Sequence, residues 1–165
     1  MGLSNINYAE RLREFPLLSN IKDNELRILA GMINERQIAA GENIITEGES
    51  GDEVYILMEG TVDVIKSTVF GDLFVVSTLD AGEHCVFGEM AMIDNDKRSA
   101  SVKAKTDCKT ISINRKNFDL FCREHPGSGL ELMKLISLNL VRNLRKENDN
   151  LRMVYQALIE EIETN

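Results

Sequence analysis

The sequence predicts an α+β chain, with helical segments on either side of an all-β centre. Three observations carry this. Apolar residues near both ends recur at helical spacing. Between them, short runs of Val, Ile and Thr are separated by glycines at 41, 48, 51, 60, 71, 82 and 88. Toward the C-terminus, Leu144, Leu151 and Leu158 return every seven residues.

Residues 1–35 read as N-terminal helices. Tyr8, Leu12 and Phe15 are spaced by four and three, which makes one apolar face, and Pro16 breaks that helix. Asp23 is placed to cap a second helix with the face Leu26, Leu29 and Ile33, ending near Asn34. Residues 36–113 form the β segment, with its clearest runs at 53–66, 73–79, 100–104 and 108–113. In the first run Val54, Ile56 and Met58 alternate with Tyr55, Leu57 and Glu59. Several short strands with regular turn signals predict a sandwich or a barrel. Phe70-Gly71-Asp72 reads as a hairpin tip.

Residues 114–165 return to helix. Asn114 caps a helix running to about Glu124, and His125-Pro126-Gly127 interrupts it. A long helix follows from Leu130. Beside its leucines, Leu140 or Val141, Val154 or Tyr155, and Ile162 fill much of a second seam, while Ser137, Glu147 and Asn148 fall at or beside it. This predicts a coiled coil over roughly three heptads and a homodimer through the helix. The alternative is a long amphipathic helix folded back on the barrel.

With 19 basic and 27 acidic residues the net charge is −8, which disfavours nucleic acid and anionic membranes as partners. The N-terminus is too polar for a signal peptide, and no stretch approaches about 18 apolar residues. Gly2 is followed by Ile6 where myristoylation wants Ser or Thr. Cys85, Cys108 and Cys122 cannot all pair and fit no zinc spacing, so reduced thiols in a cytoplasmic protein are expected. His84-Cys85 brings no second haem ligand, and three cysteines fall short of a four-cysteine iron–sulfur cluster. No Ser–His–Asp set or carboxylate pair is signalled. The expectation is a non-enzyme that needs neither metal nor cofactor.

The chemistry concentrates in residues 82–104, GEHCVFGEMAMIDNDKRSASVKA. Gly88 lets backbone approach a ligand closely. Glu89-Met90-Ala91-Met92-Ile93 is a short helix-compatible run whose N-terminal amides can face an anion. Ten residues after Gly88 stands Arg98, whose planar fork matches phosphate oxygens. Ser99 adds a hydroxyl, and Ala100 leaves room. A bare phosphate would repel Glu89, so that carboxylate makes sense as an acceptor for sugar hydroxyls. Together these groups describe a phosphate-plus-ribose pocket.

This segment resembles the phosphate-binding cassette of the cyclic nucleotide-binding domain family. The resemblance lies in Phe87-Gly88-Glu89-Met90-Ala91-Met92-Ile93 and Arg98-Ser99-Ala100-Ser101-Val102. Upstream, Gly41-Glu42, Ile45, Glu47-Gly48, Asp52, Tyr55, Gly60 and Val62 also fit. Arg-Ser-Ala is similar to the catabolite activator branch, and the loop spacings are similar to the regulatory subunits of cyclic-AMP-dependent kinase. The resemblance implies an eight-stranded antiparallel β-roll of jelly-roll type, with the cassette at 87–102. It implies that Arg98, Ser99, Ala100, Met90 and Ala91 take the cyclic phosphate, and that Glu89 and Gly88 take the ribose. Val64, Val76 and Leu79 would lie against the base.

The ligand implied is cyclic AMP, or cyclic GMP, and the function implied is a sensor that repositions its C-terminal helix for a protein effector. The alternative is a dimerisation scaffold with a vestigial pocket. Lys97 departs from the family, where a proline commonly precedes the arginine. Arg142-Asn143-Leu144 resembles a segment of the catabolite activator and would set Glu147 and Asn148 against the base. The other role for Asn148 is a polar seam residue that fixes coiled-coil register. No recognition helix follows before Asn165, so the chain reads as a stand-alone sensor or the sensor part of a longer protein.

Overall fold

The structure, a computed structural model, describes residues 3–15, 18–83, 85–94 and 96–164. The expectations placed on Gly2, Pro16 and His84 lie outside the described residues. The chain opens with helix α1 (Leu3–Arg13), a 3-10 turn (Leu18–Asn20) and helix α2 (Asp23–Ala30). Strands β1 (Asn34–Ile38), β2 (Asn43–Ile45), β3 (Glu53–Glu59), β4 (Thr61–Ser67), β5 (Leu73–Asp80) and β6 (Val86–Phe87) follow. Helix α3 (Glu89–Asp94) then leads to β7 (Ser101–Ala104) and β8 (Cys108–Asn114), and the chain closes with α4 (Arg115–Glu124) and α5 (Pro126–Thr164).

Among the described residues the eight strands form two four-stranded antiparallel sheets, ordered β1-β8-β3-β6 and β2-β7-β4-β5. The expected β-roll is the observed fold. Its apolar residues divide into two cores. Tyr55, Leu57, Val62, Phe87 and Val102 fill the space inside the roll. Val54, Met58, Ile111, Phe121, Leu132 and Ile136 join α1, α2, α4 and α5 to the outer face of the first sheet. That division explains why β3 alternates without a polar face: each side of the strand meets a different core.

The run at 53–66 is two strands, not one. Gly60 divides it with φ of +89°, and a Cβ there would stand 2.4 Å from the Asp107 carbonyl. Only glycine satisfies both the angle and the approach. The hairpin tip at Phe70-Gly71-Asp72 is present, with Thr68 and Asp72 joined across it (Thr68 N to Asp72 O, 2.8 Å).

Three helix boundaries differ from expectation. Asp23 does not cap α2; Lys22 occupies that position, and the Asp23 carboxylate pairs with Arg13 instead. The helix ends at Ala30 rather than near Asn34, because Asn34 is taken into the ladder opposite Ser112. Its last turn is closed by the Gly31 amide, which donates to helix carbonyls. Finally, α5 begins at Pro126 rather than Leu130. Proline is tolerated there because a first-turn N–H has no helical partner to lose. Gly129 then lets α5 close on α4, since a Cβ would stand 2.8 Å from the Cys122 Cα.

The fold-back alternative for the long helix fails. Leu132, Leu135 and Ile136 are buried, but Leu144, Leu151 and Leu158 are 62%, 51% and 48% exposed. The helix leaves the roll near residue 140. None of the described helices is long and apolar enough to cross a membrane.

Asn114 caps α4 as expected, its side-chain oxygen accepting from the Asn117 amide at 2.9 Å. Replacing it (Asn114→Ala) should cost about 1 kcal/mol. Urea denaturation should show a lower midpoint at unchanged slope.

Candidate functional site

A cavity of about 440 Å³ opens between the second sheet, the segment around α3 and the first exposed turns of α5. Its local geometry starts with Gly88, which has φ of +81°. A Cβ there would stand 2.8 Å from Arg98 Nη1 and 3.1 Å from the Glu53 carbonyl. The missing side chain is therefore where the arginine lies.

Arg98 is 7% exposed. Its Nη1 donates to the Gly88 carbonyl at 2.7 Å and its Nη2 to the Glu53 carbonyl at 2.9 Å. The guanidinium carbon lies 5.9 Å from the centre of the Tyr55 ring, which stacks on Phe87 at 5.4 Å. Gly51 completes the seat: a Cβ there would fall 2.5 Å from Arg98 Nε. The backbone is fixed too, with Arg98 N donating to Glu49 O and Gly48 N donating to Arg98 O, both at 2.9 Å. Below this seat Glu53 accepts from Tyr55 Oη at 2.8 Å and Ser112 Oγ at 3.0 Å. Burial and the Glu53 carboxylate push the Tyr55 hydroxyl up to about 12, so it stays a donor.

Glu89 is 4% exposed and begins α3. It accepts from Asn139 Nδ2 at 3.0 Å and from Asn143 Nδ2 at 3.5 Å. The same Asn139 amide donates to the Val86 carbonyl at 2.9 Å. Burial raises the Glu89 carboxyl above the ordinary carboxylate range; its own backbone amide, Asn139 and the Arg98 charge pull the other way. Glu89 and Arg98 are thus not a structural ion pair: each is held by other groups, on two sides of one cavity. The other end of α3 is tied down as well, since Arg115 Nε donates to the Met92 carbonyl at 2.7 Å.

The remaining sequence-predicted residues divide as follows. Val64, Val76, Leu79, Gly88, Glu89, Met90, Arg98, Ser99 and Ala100 all line the cavity. Ser99 is exposed, with its Oγ 3.5 Å from Met90 Sδ. Ala91 lies within α3. Asn148 does not line the cavity and is exposed. Glu147, expected beside it, does line the cavity, and the helix also presents Asn139, Arg142, Asn143 and Lys146. These recur at helical spacing on one face, and position 148 turns away from it.

Sequence reading missed Gly51, Glu53, Asn139, Arg142 and Asn143. Asn139 and Asn143 carried a usable signal: two amides four residues apart on a helix whose neighbouring positions are apolar. Gly51 carried none, because its role appears only when Arg98 arrives from 47 positions away. Cys85 lines the cavity as a buried free thiol, and burial raises its pKa, so it is poorly reactive.

Residues 35–125 match the family model described as the cyclic nucleotide-binding domain. The chain is 38% identical over 111 residues to the cAMP-dependent protein kinase regulatory subunit of Aspergillus niger, covering 67% of this chain and 26% of that protein. It is 33% identical over 144 residues to human cGMP-dependent protein kinase 2, covering 86% of this chain and 18% of that one. Among solved structures it is similar to the regulatory domain of Toxoplasma gondii PKA in co-crystal with cAMP. The TM-score is 0.69 at 27% identity, over 81% of this chain and 50% of that one. The chain spans about a quarter of the length of the regulatory subunit it matches.

A raised carboxyl in the folded state means that the unfolded chain gives up this proton first. Stability should therefore fall as pH rises from the ordinary glutamate range through the raised value of Glu89, and level off above it. Glu89→Gln removes that loss while keeping an acceptor for Asn139. Thermal melts of the unliganded protein should show the variant gaining on the wild type at pH about 7 relative to pH about 4. An equal difference at both values would show that Glu89 bears no burial penalty.

Proposed function

The chain belongs to the cyclic nucleotide-binding domain family, and from that premise we propose that it is a regulatory sensor of a cyclic nucleotide, with cyclic AMP preferred over cyclic GMP. The observation that carries the reading is the Arg98 guanidinium, buried at the wall of a cavity whose other side holds the Glu89 carboxylate. Arginine has five N–H donors, and two are spent on carbonyls. The others remain for the exocyclic oxygens of a cyclic phosphate, with Ser99 beside them. Because its rotamer is already fixed, Arg98 loses little entropy on binding.

Glu89 accepts the ribose 2′-hydroxyl in this reading. The sugar replaces the 3.5 Å bond from Asn143 and leaves the shorter one from Asn139 in place. The base then lies along Val64, Val76 and Leu79, with α5 across the opening. The preference for cyclic AMP rests on the similarity to cAMP-dependent regulatory subunits. Ser99 alone does not select a base, since a hydroxyl there can also reach a guanine amino group. The protein binds rather than catalyses, and passes the signal to a protein effector through α5. Buried Asn139 and four residues in the turns after it line the cavity, so occupancy bears directly on where the helix sits.

Arg98→Ala should weaken cyclic AMP binding by about 2–4 kcal/mol, because it strips a charged donor from a buried phosphate. Arg98→Lys should also weaken it, since a point charge cannot copy the fork. Isothermal calorimetry with cyclic AMP and cyclic GMP reads both. No heat with either nucleotide on the wild type would leave a scaffold with a vestigial pocket.

Hydrogen exchange should show new protection on nucleotide addition in residues 136–147 as well as in 86–101. Protection confined to 86–101 would mean a binder whose helix does not respond.

A further inference from the structure

The apolar floor of the cavity, Val64, Val76 and Leu79, suits the flat face of any purine, and Ser99 does not choose between bases. Selection falls to groups that can meet the edge of the base. Apart from Glu89 and Arg98, the charged lining residues are Lys66, Glu83, Arg142, Lys146 and Glu147. Their places in the fold divide them. Lys66 stands opposite Phe74 in the β4–β5 ladder, next to Ile65, which is opposite Ser101 of β7. That end of the floor lies beside Ser99 and Ala100, where the nucleotide reading puts the phosphate.

Leu79 is at the other end of β5, opposite Val62. Glu83 follows it in the 3-10 turn Ala81–Glu83, and Arg142 lines the cavity from α5. Burial raises the pKa of the Cys85 thiol, the Glu83 charge raises it further, and the Arg142 charge lowers it. Both charges therefore lie close to this thiol, whose Sγ donates to the Asp80 carbonyl at 3.3 Å. An acid and a base from two different elements thus flank the Leu79 end of the floor. Both side chains are exposed, and among the described residues neither makes a hydrogen bond or an ion pair. Opposite charges that flank one opening without pairing leave space for a group between them. Lys146 and Glu147 come a turn later on α5, about 6 Å further along the helix.

We propose that Glu83 and Arg142 read the edge of the purine, and that Glu83 sets the choice of base. The proposal rests on the cyclic-nucleotide reading of the site. Along one edge adenine offers an N6 amino donor and an N7 acceptor, whereas guanine offers two acceptors, O6 and N7. A carboxylate beside a guanidinium matches adenine: N6–H donates to Glu83, and Arg142 donates to N7. Guanine sets O6 against Glu83, acceptor against acceptor. Arg142 by itself has the opposite preference, because a guanidinium fits O6 and N7 together. The arginine alone selects guanine, and the carboxylate inverts that selection. Affinity for the edge resides in Arg142, and selectivity resides in Glu83.

Calorimetry on the whole chain tests this with four ligands. They are cyclic AMP, cyclic GMP, 7-deaza cyclic AMP, which lacks the N7 acceptor, and the cyclic monophosphate of purine riboside, which lacks the amino group. The wild type should prefer cyclic AMP and lose roughly tenfold in affinity with each adenine analogue. Glu83→Ala should bind cyclic AMP and the purine riboside analogue equally, and should prefer cyclic GMP to either. Arg142→Ala should bind cyclic AMP and its 7-deaza analogue equally while still rejecting guanine. Both side chains are exposed, so neither change threatens the fold.

The assignment is overturned, with the nucleotide site left standing, by any of three results. An amino-group loss could persist in Glu83→Ala, an N7 loss could persist in Arg142→Ala, or Glu83→Ala could keep the wild-type preference. Wild-type protein that binds none of the four ligands overturns this assignment and the nucleotide reading together.

Discussion

The structure depends on where one guanidinium is put. A buried arginine needs its donors satisfied and its charge compensated, and among the described residues no carboxylate pairs with this one. Two backbone carbonyls, from Gly88 and Glu53, and the face of Tyr55 hold Arg98 in place. Each of these comes from a different part of the roll. Glycines at 51 and 88 clear the space that side chains would fill. The jelly-roll topology can be understood as the means of bringing these distant segments to one guanidinium and keeping them there.

The carboxylate opposite is governed by a different balance. Glu89 is buried at a cost, which shows in its raised pKa, and two asparagines of α5 partly offset that cost. Asn139 bridges the Glu89 carboxylate and the Val86 carbonyl, so a single amide ties the helix to the cassette and to the strand before it. A ligand hydroxyl reaching Glu89 enters an existing set of bonds. In the proposed reading the acceptor for the sugar is also the group that attaches the helix, so occupancy at one would bear on the other without any longer path.

Much of this was legible in the sequence, for identifiable reasons. Strand runs and glycines gave the β segment because a covered sheet leaves short apolar stretches between turns that need positive φ, as at Gly60 and Gly71. One wall of the cavity was legible because Gly88, Glu89 and Arg98 lie within eleven residues of one another. What failed was long-range. Asp23 carries the chemistry of a cap, but Arg13 claims its carboxylate. Gly51 and Glu53 look like turn and strand residues until Arg98 packs on them. Asn148 was placed by counting along a helix from a resemblance, and a helix face is lost within one residue of error. Its seven-residue pattern was visible, but exposure along α5 was needed to show that no part of the roll covers it.

The length of α5 gives the site a mechanical advantage. The helix is anchored to the roll at Asn139, lines the cavity as far as Glu147 and continues to Thr164. At 1.5 Å per residue that is an arm of about 37 Å. A tilt of about 5° at the anchor, within the give of a few hydrogen bonds, would carry the tip through about 3 Å. A displacement too small to disturb packing around Glu89 becomes, at the far end, the width of an atom, large enough for another surface to distinguish.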